Sequence, residues 1–289
     1  MIHLIIPSYQ GGGKLVRAAL SAVKNGDGFH RIFISINGNQ TNDLALLEEA
    51  GLLQNKKIMI LETGKNLDAH MHLANCIGKL HSFLSDEDYL FTLCHDDIWE
   101  KNTDWGWLNE ECKNKTGSGF FPLWKLVTEQ GERLKDKTFF EGRKAFPDEA
   151  VFGSFDQDGT FTNLSGIGFP FATWKDVVNW CRFKKSAARI ELMLATHRAI
   201  RSLEHVPGLK IQVEVSQTSD GACLTQKQIA WDENIFYAWL FWQGRVTNWK
   251  NQKTAIRKIW ANLKYLAKLY CPKLYGAVSL KKRGCAKVS

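Results

Sequence analysis

Within the first hundred residues, short apolar runs and helix-like stretches take turns four times, and that rhythm leaves few folds open. Ile2 to Ile6 is an apolar run closed by Pro7, the pattern of a buried strand. Gly11-Gly12-Gly13 gives a permissive loop, and Lys14 to Val23 reads as a helix with Leu15, Ala18, Ala19 and Ala22 on one face. Ile32 to Ile36 is a second strand, ended by Asn37-Gly38-Asn39. Leu44 to Ala50 suggests a short helix, Lys57 to Leu61 a third strand, and Asp68 to Phe83 a helix opening on an acid. Tyr89 to Cys94 is a fourth strand that runs straight into His95-Asp96-Asp97. This spacing predicts βαβ units around a mostly parallel sheet. In such sheets ligands collect beyond the carboxyl ends of the strands. Chemistry is therefore expected at Pro7-Ser8-Tyr9, Asn37-Gly38-Asn39, Glu62 to Asn66 and His95-Asp96-Asp97.

After about residue 101 the rhythm changes. Phe120 to Val127 reads as a strand, Gln130-Gly131 as a hairpin turn, Asn179 to Ser202 as mainly helical and Leu209 to Val215 as an alternating strand. No repeat or Pro/Ser linker separates the halves, which predicts a second half packed on the first. The expected organisation is 1-100, 101-249 and a tail, 250-289. The 289 residues suffice for a substantial core. The 11 Trp and 17 Phe serve equally as core or as stacking faces. Seven cysteines, an odd number without C-x-x-C spacing, argue against a disulfide framework or zinc site and for a reducing, cytoplasmic compartment. No signal peptide or membrane-spanning stretch is expected.

The strongest local signal is the pair Asp96-Asp97. Two adjacent carboxylates at the end of a buried strand are costly unless solvated or neutralised. A divalent cation that also grips diphosphate oxygens is one solution, and hard oxygens suit Mg²⁺ or Mn²⁺. Capping of the following segment is the other, since Asp is a favoured N-cap.

Taken in order, Ile5-Ile6-Pro7-Ser8-Tyr9, the Asn-Gly turn, Asn66 with Leu73-Ala74-Asn75, and the strand ending in His-Asp-Asp resemble the nucleotide-binding half of family 2 glycosyltransferases. These are inverting enzymes of the GT-A fold, of the kind acting in bacterial surface polysaccharide synthesis. The resemblance covers about the first 100 residues well and the next 120 or so loosely. It implies a donor site of Pro7, Ser8, Tyr9, Asn37, Asn66, Asp96 and Asp97, with Asp97 as the metal contact and Asp96 beside it near the ribose or sugar. The turn after the second strand departs from the family. It reads Ile36-Asn37-Gly38 where a carboxylate usually precedes the Gly, so the usual contact to uracil is not implied.

An inverting transfer needs a carboxylate to take the acceptor hydroxyl's proton while a metal steadies the leaving diphosphate. By the same resemblance Asn163 to Pro170, including Ser165 and Gly166, lines the sugar pocket on the acceptor side. Ala188 to Leu194 matches the helix that carries the base, and Glu191 is its only acid. Asp220 and Asp232-Glu233 are the fallbacks, and Ser216 to Asp220 matches a loop that closes over the diphosphate. Gly11 to Lys14 lacks the spacing of a Walker loop and of a dinucleotide fingerprint.

Residues 250-289 hold eleven Lys or Arg and no acid, so the other 249 residues carry −3 of the +8 total. Ile256, Ile259, Trp260, Leu263, Leu266 and Tyr270 recur at helical spacing beside these cations, the pattern of an interfacial membrane helix. A helix packed on the catalytic body is the competing reading, and nucleic acid is not expected as a partner. The expectation is thus a metal-dependent, inverting transferase. It would move a sugar from a nucleotide-sugar donor to a glycan or lipid-linked acceptor, with peripheral contact on the inner membrane face. A non-catalytic nucleotide-sugar-binding module and a sugar nucleotidyltransferase are the alternatives.

Overall fold

The computed structural model describes residues 1–25, 28–38, 41–67, 69–115, 117–128, 130–138, 164–180, 199, 205–217, 230–231, 234–235, 238 and 249–270. The chain forms two compact units, Met1–Gly221 and Ala222–Ser289. The first is built on a mixed sheet of nine strands among the described residues. Strands β1 (Ile2–Ser8), β2 (Arg31–Ile36), β3 (Ile58–Glu62) and β4 (Tyr89–Thr92) run parallel in the order β3-β2-β1-β4. Helices α1 (Gly12–Lys24), α2 (Thr41–Glu49) and α3 (Ala69–Lys79) make the crossovers, with a 3-10 turn at Leu80–Ser82. The alternation of the first hundred residues thus forms as expected.

Beyond β4 come β5 (Ile98–Trp99), α4 (Trp105–Asn114), β6 (Gly119–Thr128), β7 (Arg133–Thr138), β8 (Gly168–Pro170), α5 (Phe171–Trp180) and β9 (His205–Gln217). The turn at Gln130-Gly131 closes the antiparallel β6–β7 hairpin. Strand β8 pairs antiparallel with β4 and continues the sheet toward β6, β9 and β5. The sequence reading missed β5, α4, β8 and α5. Strand β5 is two residues long and α5 starts at once after β8, so neither leaves a periodic trace. Most of the helix expected over 179–202 lies outside the described residues. The second unit contains α6 (Trp249–Tyr270), close to the amphipathic helix expected from the sequence.

Strands β1, β2 and β4 are buried on both faces, which is why they read as continuous apolar runs, while β3 at the sheet edge is mostly half-buried. Helix α1 packs by Leu15, Ala18, Ala19 and Ala22, mostly small residues that bring its axis close to the sheet. Trp99, Trp124 and Trp174 belong to the core. Each is buried, and each indole N–H has a partner: Thr103 Oγ1 at 2.9 Å, Ser165 O at 2.7 Å and Leu90 O at 2.8 Å.

Candidate active site

The carboxyl ends of β1, β2 and β4 lie at one edge of the sheet, and the donor-side residues named from the sequence lie at or next to them. Strand β4 leaves the sheet through a tight turn in which Asp97 N–H donates to Cys94 O at 3.1 Å. The turn places three ligand atoms, from Cys94, Asp96 and Asp97, within 4.8 Å of one another. His95 lies against Gly11 after β1, for a Cβ on that glycine would come within 3.2 Å of the His95 ring.

The two aspartates do different work. Asp97 is 3% exposed. One of its oxygens accepts a short hydrogen bond from Ser165 Oγ, and the other accepts from Ser216 N–H at 2.9 Å. Ser165 Oγ in turn accepts from Cys94 N–H at 2.8 Å. Asp97 therefore ties the end of β4 to the 164–167 turn and to β9, which neutralises much of the cost of burying it. Asp96 is half-buried, and its carboxylate has no hydrogen-bond or ion-pair partner among the described residues. The sequence expectation gave the metal to Asp97; the geometry leaves Asp96 as the carboxylate open to a ligand, with Asp97 oriented beside it.

Cys94 stands with the pair. Burial, and next the Asp97 and Asp96 charges, push its thiol well above the usual cysteine range. It is a neutral thiol at neutral pH unless a cation displaces the proton. The two hard carboxylates suit a divalent cation of Mg²⁺ or Mn²⁺ type, while the protonated Cys94 sulfur is a soft donor that such a cation does not select.

Ser165 and Gly166 form the floor of this arrangement. Gly166 N–H donates to Thr92 O at 2.6 Å, and Thr92 N–H donates to Ile167 O at 3.1 Å. Gly166 has φ +80°, and a Cβ there would lie 2.5 Å from Pro122 Cγ and 2.7 Å from Val213 Cγ2. Ser165 has no exposed surface, so it acts on the site through Asp97.

At the neighbouring strand ends the polar groups are largely spent on holding loops. Ser8 is buried and donates to Asp43 Oδ2 at 3.2 Å. The same carboxylate accepts from Gly11 N–H at 3.1 Å and Gly12 N–H at 2.8 Å, so Asp43 on α2 caps the start of α1. Tyr9 is 43% exposed just beyond, and Gln10 adopts φ +49°. Asn37 is 1% exposed and grips one residue at both ends. Its Nδ2 donates to Leu67 O at 2.7 Å and its Oδ1 accepts from Leu67 N–H at 2.8 Å. Exposed Asn66 lies over Gly38, whose φ is +74°. Pro7 is half-buried within β1. Glu191, Asp220 and Asp232-Glu233 lie outside the described residues.

Sequence reasoning missed Asp43 as part of the frame, and it named Ser216 only as the start of a loop over the diphosphate, not as a donor to Asp97. A favoured capping residue near the start of a helix was the trace Asp43 offered, yet it caps a different helix. Ser216 contributes through its backbone, which leaves no trace in residue type.

This sheet, with its site at the parallel strand ends, defines a GT-A-like fold. No protein-family model matches the sequence, and no curated protein matches it. Among solved structures it is similar to S. aureus TarS, with a TM-score of 0.56 and 11% identity over 82% of this chain and 39% of that one. It is also similar to TarS 1-349 in complex with UDP-GlcNAc, with a TM-score of 0.56 and 9% identity over 93% of this chain and 74% of that one. The complex of TarS 1-349 with UDP gives a TM-score of 0.55 and 10% identity over 93% and 72%. The chain thus spans about two fifths of the longer TarS chain. At these identities the likeness is one of fold.

Proposed function

We propose that this chain is a metal-dependent glycosyltransferase of the inverting, family 2 kind, moving a sugar from a nucleoside-diphosphate sugar to a glycan or lipid-linked acceptor. The observation that carries this reading is the open Asp96 carboxylate beside a hydrogen-bonded Asp97, at the strand ends where a GT-A-like sheet binds its ligands. Asp96 would be the main cation contact, with Asp97 beside it. A bound cation supplies charge to the leaving diphosphate. Tyr9, Asn66 and the backbone near Gly38 would face the nucleoside, because the Asn37 and Ser8 side chains are taken up within the fold. Glu191 is our candidate for the base that accepts the acceptor hydroxyl's proton.

UDP-sugars head the donor panel because TarS 1-349 was solved with UDP-GlcNAc and with UDP. Incubation with nucleotide sugars and Mn²⁺ should release nucleoside diphosphate by transfer or slow hydrolysis. EDTA should stop it, and Asp96→Asn should lower the rate at least 100-fold. Donor binding with no turnover under any acceptor would favour a non-catalytic module. Synthesis of nucleotide sugar from a nucleoside triphosphate and a sugar 1-phosphate would favour a nucleotidyltransferase.

A further inference from the structure

Helix α6 carries two apolar surfaces, only one of which is buried. At 100° per residue, Ala255 and Leu266 fall together, and both are buried. Ile256, Trp260, Leu263 and Tyr270 form a second stripe, turned by about 80° from the first. They are 43%, 60%, 42% and 54% exposed. Along one flank of that stripe run Lys253, Arg257, Lys264 and Lys268, all exposed. The 22-residue helix holds no acid.

We infer that this face of α6 docks on an anionic lipid bilayer, lying in the interface rather than crossing it. Charge complementarity selects the occupant. A ladder of cations beside a Trp-, Leu- and Ile-bearing stripe matches phosphate headgroups above acyl chains. A purely aqueous polyanion would use the cations and leave the apolar stripe in water. No described helix is long and apolar enough to cross a membrane, which fits a helix lying flat. Each cation near such a surface strengthens partitioning by roughly fivefold, so four act strongly together and weaken with salt. This inference stands independently of the glycosyltransferase reading.

Co-sedimentation of the full chain with vesicles tests it. The chain should bind phosphatidylcholine vesicles containing phosphatidylglycerol, and bind pure phosphatidylcholine at least tenfold more weakly. Ile256→Ser/Trp260→Ser/Leu263→Ser should cut binding at least tenfold, as should Lys253→Gln/Arg257→Gln/Lys264→Gln. Trp260→Phe should keep most of it. The substituted side chains are exposed, and circular dichroism and thermal melting check that each variant folds. Equal binding by wild type and the apolar variant overturns the inference. So does dimerisation through the stripe without vesicle binding, or retention of a nucleic-acid duplex that ignores Trp260.

Discussion

Asp97 and Asp96 sit side by side in the chain, and substitution should separate them. Asp97→Asn keeps the shape but turns one acceptor into an amide donor facing Ser165 Oγ or Ser216 N–H. We expect lower stability together with lower activity, by about 2 kcal/mol in the denaturant midpoint analysis. Asp96→Asn should leave stability within about 0.5 kcal/mol, as expected of a residue with no partner among the described residues, and abolish the response to metal. Gly166→Ala combines a left-handed backbone with overlap against Pro122 and Val213, at a cost of about 2–4 kcal/mol. Urea unfolding of the purified variants checks all three. From sequence, the acid pair at the end of a buried strand was legible, because a polar run after an apolar one is a local pattern. The division of labour was not. Asp97's partners lie 68 and 119 positions away, and such pairing leaves no periodicity to read.

At the level of elements, the loop between β1 and α1 is shaped by α2. Asp43→Ala would leave the N–H groups of Gly11 and Gly12 and the Ser8 hydroxyl without their acceptor. The expected cost is about 2 kcal/mol, with weaker nucleotide binding because the Tyr9 loop loosens. A melting curve and a nucleotide titration on the same variant read the two effects. Asn37 plays the matching part at β2, where its side-chain amide pairs with the Leu67 peptide group and fixes the 63–67 loop. Sequence placed both loops at the carboxyl edge of a parallel sheet, where they lie in the structure. The hydrogen bonds that Ser8 and Asn37 make within the fold were not legible, because their partners lie 35 and 30 positions away. The pattern of α1 was read correctly for the opposite reason: its burial depends on spacing alone.

For the whole molecule, two buried histidines set a pH limit. Burial drives the His3 imidazole down to about 4; His30, the N-terminal ammonium and Arg31 add to this, while Asp88 opposes it. Burial does the same to His72, with Lys79 and His95 adding repulsion, and brings it to about 4 as well. Both hold fewer protons folded than unfolded between pH 6.5 and about 4. Their contribution is therefore complete above pH 6.5 and lost as pH falls through that window, on the order of 3 kcal/mol each. Unfolding free energy measured from pH 7.5 to 4 should fall most steeply there. In His72→Gln the slope should shrink by about one proton at its steepest.

The proposed activity depends on a cation at Asp96 gripping a nucleotide's diphosphate. The most direct measurement is a thermal-shift titration of nucleoside diphosphates, UDP among them, with and without Mn²⁺, on wild type and Asp96→Asn. Ligand bound to the folded state raises the midpoint by mass action. One diphosphate should stabilise the wild type, and Mn²⁺ should strengthen its binding at least tenfold. In Asp96→Asn that Mn²⁺ gain should disappear. A Mn²⁺ gain unchanged by the substitution, or no stabilisation by any nucleoside diphosphate, would contradict the proposed activity.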